Sequence, residues 1–209
     1  MPTLPRYSGR SAAGTHRPGL IRCAALRVRR TPVASPRVAL YALGDQIPKI
    51  DPTAFVHPDA VIIGDVTVGP LASVWPQAVL RGDQGPISVG ARTSVQDGTV
   101  VHAGPGFPTT VGEGCVIGHL AHLEGCTLED LSMVGSGAVV LHFAVVGSGA
   151  TVGAGAVVTN GTKVPSGALA VGVPAVVRIG ASNLELIRMS AEHYVASSER
   201  YRSELRRLD

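Results

Sequence analysis

The stretch GHLAHLEGC, residues 118 to 126, sets His119 and His122 three residues apart and Glu124 two beyond, with His102 upstream at the end of a valine pair. Two imidazoles and a carboxylate make a sound donor set for Zn2+, and equally for Fe2+ or Co2+. Most histidines in a protein of this size serve packing or the surface, and His16, His57, His142 and His193 read that way. His102 and His119 read as ligands because both stand at polar positions beside a break in an otherwise regular pattern.

That pattern has a period of six. From residue 56 the chain runs VHPDAV, IIGDVT, VGPLAS, VWPQAV, LRGDQG, and later LEDLSM, VGSGAV, VLHFAV, VGSGAT, VGAGAV, VTNGTK, VPSGAL. Each hexad opens on Val, Ile or Leu and usually carries Ala, Val, Thr or Ser at its fifth place, with glycines recurring between. A six-residue period suits neither a 3.6-residue helix nor a plain two-residue alternation, but it suits short strands joined by tight corners and stacked as a parallel β-helix. The aliphatic residue is expected inside and the small residue at the corner.

On this grid Arg81, Gln96, His102 and Glu124 each follow an inward aliphatic residue, namely Leu80, Val95, Val101 and Leu123. They share one outward phase, and stacking is expected to gather them on one exterior face. His119 falls one place later and should lean toward a corner. Trp75 follows Val74 in the outward phase and is expected to fill a subunit interface. The hexads break between Gly82 and Thr110, first at QGPISVGART and then at AGPGFPT, and loops on a rigid scaffold are the usual seat of function.

The open ends of a solenoid need covering. After Ser182 or Asn183 as cap, Leu184, Ile187, Ala191, Tyr194, Val195, Ser198, Tyr201, Leu205 and Leu208 recur at helical spacing, which predicts an amphipathic helix packed on the solenoid wall or on a partner. The chain is therefore read as an Arg-rich extension over residues 1–37, a β-helix over 38–180 and a C-terminal helix over 181–209, an all-β fold class with one appended helix.

The segments VWPQAVLRGDQGPISVGARTSVQDGTVVHAGPGFPTTVGEGCVIGHLAHLEGC and VPSGALAVGVPAVV resemble the γ-class carbonic anhydrases and their hexapeptide-repeat relatives, over residues 45 to 209. The ordered series RGD, QDGTVVH, GH is the specific part. The resemblance implies a left-handed parallel β-helix, a homotrimer, and a zinc or similar divalent ion held by histidines from adjacent subunits, with CO2 and bicarbonate as the small-molecule substrate. The reaction would be reversible CO2 hydration through a hydroxide on the metal. It makes His102 and His119 two ligands, Arg81 and Asp83 an ion pair that ties subunits together, Gln96 the residue that orients the reacting water, and Asp97 a support for that shell. Glu124 stands where the family has its third histidine. Either Glu124 replaces it directly, or His122, on the same outward side of the strand, reaches in from about 6 to 7 Å along the strand. Gln96 and Glu124 are the residues expected to act in catalysis. A carboxylate ligand leaves the ion less positive than a third imidazole, so hydration is expected to be weak or lost. Gln84 stands where some relatives carry a proton-transferring glutamate, which points the same way.

Composition agrees with a narrow core: 26 glycines and only 4% aromatic residues. The net charge of +3 is misleading, because residues 1–37 hold eight arginines and no acid, leaving the remainder acidic with no basic face for nucleic acid. In charge the leader resembles an organellar transit peptide, but its amphipathic periodicity is poor. The protein is therefore expected to be cytoplasmic with a dispensable extension, organellar targeting being the alternative. No apolar run approaches the roughly 20 residues that span a bilayer. Cys23, Cys115 and Cys126 are an odd number without metal-type spacing, hence free thiols in a reducing compartment. Two other functions compete: a hexapeptide-repeat acyltransferase using an interfacial histidine as base with coenzyme A between subunits, and a non-catalytic trimeric scaffold.

Overall fold

The computed structural model describes residues 38–208; the expected extension over 1–37, with His16 and Cys23, lies outside the described residues. Val61 pairs in parallel with Val79, and Val139 with Val157, each three hexads on. Three hexads therefore close one coil, and the cross-section is a triangle of three short strands and three corners.

Face one stacks the strands Phe55–Val56, Ser73–Val74, Ser94–Val95, Val116–Ile117, Met133–Val134, Thr151–Val152 and Leu169–Val171. Face two stacks the first halves of Val61–Val68 and Val79–Val89, then Val100–His102, His122–Glu124, Val139–Val140 and Val157–Val158. Face three stacks Lys49–Ile50, the second halves of the two long strands, Thr109–Val111, Thr127–Leu128, Val145–Val146 and Lys163–Val164. The long strands cross the second corner, so faces two and three form one hydrogen-bonded sheet.

The core follows the hexad rule. Ile62, Leu80, Val101, Leu123, Val140 and Val158 form one inward ladder at 0% exposure, and Ala60, Ala78, Ala138 and Ala156 fill the corner beside it. The breaks in the repeat add length at the second corner. Leu80 pairs with Val101, three residues beyond three hexads, and the register shifts between Gly64 and Val66 to accommodate Asp83 to Pro86. A side chain at Gly82 would bring a Cβ within 2.5 Å of the Asp65 carbonyl oxygen, so only glycine allows the coils to approach here.

The helix α1, Leu184–Glu204, lies on face one, capped by Asn183, whose side chain accepts from the Leu186 amide at 3.1 Å. Ile187 and Ala191 bury against Val116. The helix stops at Glu204, short of the expected reach to 209. Trp75 lies under this helix, 5% exposed, between Phe55, Tyr194 and Tyr201, and its Nε1 donates to Ser73 and Ser94 at 3.0 Å each. The expectation of a subunit-interface tryptophan is thus corrected: an outward phase means solvent or partner only on faces that α1 leaves bare. At the C-terminal end, Val176–Arg178 turns back antiparallel onto Leu169–Val171, a pairing outside the hexad rule.

Candidate metal centre

Register builds the site. Arg81 pairs with His102, and His102 with Glu124, on three adjacent strands of face two, so their side chains stack in one column at the spacing of neighbouring strands. His102 Nδ1 lies 2.9 Å from Glu124 Oε1, and its Nε2 lies 3.1 Å from Asp83 Oδ1. Asp83, carried on the lengthened second corner, also accepts from Arg81 at 2.5 Å within the same chain. His122, two residues before Glu124 on the same side of the strand, points Nε2 at Oε2 from 3.1 Å.

Two further residues belong here. His142, from the next coil, brings Nε2 to 3.5 Å from Glu124 Oε1, so it is no ordinary surface histidine. Thr109, fully buried, donates to the His102 carbonyl at 2.5 Å and accepts from the Gly125 amide at 2.8 Å, pinning both strands that carry the pair. His142 sits in the hexad VLHFAV, where its position beside Glu124 emerges only once coils are stacked. Thr109 follows the irregular AGPGFPT turn, so no period announces it.

The hydrogen bond from His102, then the one from His122 and the charge of His142, hold the Glu124 carboxyl down at about 2 against the opposing effect of burial. For Asp83, partial burial pushes the value up, but hydrogen bonds from Arg81 and His102 outweigh it and the net shift is downward. Both carboxylates are therefore ionised acceptors, one facing each ring nitrogen of His102.

Gln96, Asp97 and His119 do not join this column. Gln96 closes the Ser94–Val95 strand on face one and is 3% exposed, so its outward phase leads neither to solvent nor to the face of His102. The shared phase was legible; the division of that phase among three faces was not. His119 and Asp97 hang from the first corner, at the opposite edge of face two, where His119 Nδ1 meets Asp97 Oδ2 at 2.9 Å. This contact turns the other ring nitrogen away from Asp97, the arrangement typical of a metal-binding imidazole oriented by a carboxylate. Among the described residues of one chain, no group of three or more His, Cys, Asp or Glu is placed to hold an ion. The donor types nevertheless fit a borderline divalent metal, with His102 and Glu124 at one edge and His119 at the other.

No family model matches the sequence. The chain is 45% identical over 103 residues to gamma carbonic anhydrase 1, mitochondrial, of Arabidopsis thaliana, a match covering 46% of this chain and 38% of that protein. It thus spans less than half the length of that relative. It is 38% identical over 159 residues to the carnitine operon protein CaiE of Escherichia coli strain K12, covering 75% of this chain and 81% of that one. Among solved structures it is similar to a hexapeptide transferase family protein from Anaplasma phagocytophilum, with a TM-score of 0.75 and 39% identity over 78% of this chain and 98% of that one. Together with the coil built from three hexads, these relationships show that the chain belongs to the γ-carbonic-anhydrase-like family of hexapeptide-repeat proteins.

Proposed function

We propose that this protein is a γ-carbonic anhydrase-like metalloprotein, a homotrimer that holds Zn2+, or Fe2+ or Co2+, between His102 and Glu124 of one copy and His119 of the next. Its reaction class is the reversible hydration of CO2, at a rate well below that of a three-histidine site. The observation that carries the reading is the contact of Glu124 with His102 at 2.9 Å, which puts a carboxylate where the family resemblance calls for an imidazole.

The bound ion would supply Lewis acidity, making water a nucleophile near neutral pH. The chain's own residues do the rest. Asp97 fixes the ring of His119, and Arg81 and Asp83 hold the far nitrogen of His102, while Gln96, buried beside Asp97, backs that corner from within instead of meeting the water as the resemblance implied. Glu124 adds negative charge at the centre, which lowers the acidity available to that water. His122, on the same side of the strand, is the substitute ligand if Glu124 is held by its histidine neighbours instead.

Metal analysis of the purified oligomer together with stopped-flow CO2 hydration tests this. Stoichiometric metal with slow turnover supports it, and a metal-free oligomer favours the scaffold reading. Similarity to a hexapeptide transferase family protein supports a second reading, acyl transfer from coenzyme A with an interfacial histidine as base. Release of free coenzyme A from acyl donors would identify it. The mitochondrial designation of the plant relative and the eight arginines of residues 1–37 support an organellar address over a cytoplasmic one, testable by fusing that segment to a fluorescent reporter.

A further inference from the structure

The first coil is short of one side. On face two Ala39–Tyr41 lies outside Val61–Val68, and on face three Lys49–Ile50 does the same. Face one begins a layer later, at Phe55–Val56, and among the described residues no strand lies beyond it. A cavity of about 530 Å³ opens at this gap, between Leu40, Ile50 and Val56 on the coil and Tyr201 and Leu205 at the C-terminal end of α1. Leu40 pairs with the fully buried Ile62 and so stands in the inward ladder, yet it is 46% exposed.

The main chain points the same way. The amides of Phe55 and His57 donate to the Ala72 and Val74 carbonyls of the next coil, at 2.8 and 2.9 Å. Alternation along a parallel ladder turns the Val56 amide and carbonyl, and the Ala54 carbonyl, toward the gap.

The sequence holds a matching segment beside it. Leu40 pairs with Ile62, so one hexad earlier Ala34 falls opposite Val56. ASPRVA, residues 34–39, then lines up with VHPDAV and VWPQAV, with Pro36 over Pro58 and Pro76. In that register Val33 and Ser35 bring amides to the Ala54 and Val56 carbonyls. Pro32 and Pro36, which have no amide hydrogen, fall where no donor is called for.

We propose that residues 33–37 supply the missing strand of face one, with Ala34 turned into the cavity beside Leu40 and Val56. The occupant is the chain's own segment because Val38 already lines the cavity and the hexad that fits is the one joined to it. Residues 33–37 then belong to the fold, and only what precedes them is a detachable leader. The metal reading has no part in this inference.

Limited trypsin digestion of the full chain tests it directly. The stable fragment should begin at or before Thr31 and keep the Arg37–Val38 bond intact; a fragment that begins at Val38 would overturn the proposal. Two full-chain variants give a second measurement. Ala34→Val puts at this place the residue that opens most other hexads and should raise Tm by about 2–4 °C, whereas Ala34→Asp places a charge in the cavity and should lower it by about 5 °C or more. Melting points equal to the wild type in both would show that Ala34 lies elsewhere. Protection of the Arg37–Val38 bond that fades on dilution would assign the gap to the segment of a second copy, and that too would overturn the proposal.

Discussion

His102 and Glu124 face each other across neighbouring strands, 2.9 Å apart, because the register of the β-helix pairs the two residues directly. His102 is thereby held between two ionised carboxylates, Glu124 and Asp83. On the proposed reading this pair supplies one part of a metal site shared between copies.

Replacing Glu124 with histidine restores a third imidazole. If Glu124 is a ligand, Glu124→His should keep its metal and raise CO2 hydration by about tenfold or more, measured by stopped flow with metal analysis on the same sample. An unchanged rate would place Glu124 outside the ligand set and turn attention to His122.

Asp97 orients His119 from 2.9 Å. Asp97→Ala should weaken metal affinity by about 10- to 100-fold while leaving circular dichroism and oligomeric state intact, as competition with a chromogenic chelator would read. Unaltered affinity would mean that His119 needs no such support.

The depressed Glu124 pKa, about 2 against an ordinary 4.5, has a definite sign for stability. A carboxylate with a lowered folded-state value stabilises the fold above its unfolded value, and that contribution is lost as pH falls through the folded value. In metal-free protein, Glu124→Gln should cost on the order of 1–3 kcal/mol at pH 7 in urea denaturation. The difference should shrink below about 4.5 and vanish near 2. A cost that stays constant over that range would assign the effect to packing.

Cys115 and Cys126 are buried, and burial raises both thiols, Cys126 to about 12. In a Cys23→Ser background neither should react with a thiol reagent until denaturant is added, because the thiolate is the reactive form. Rapid labelling in buffer would show that the coil opens locally.

Trp75 packs within its own chain, beneath Tyr194 and Tyr201. Trp75→Ala should cost about 3–5 kcal/mol of stability. The wild-type tryptophan emission should stay constant on dilution through subunit dissociation; a red shift at that step would return Trp75 to an interface.

The six-residue period was enough to set the coil, its core and the small residues at its corners, because each of these depends on neighbours a fixed number of residues away. The outward phase of Arg81, His102 and Glu124 was legible for the same reason. The triangular section was not: residues of one phase are dealt out among three faces, so Gln96 and Trp75 share the phase of His102 yet sit under or beside α1 rather than in its column. His142 reaches Glu124 only through the stacking of a later coil, and Thr109 enters from an irregular turn. Local spacing decided which side chains leave the core and carry donor atoms. The closing of the coil in three dimensions decided which of them meet, because contact across a solenoid depends on face and height rather than on distance along the chain.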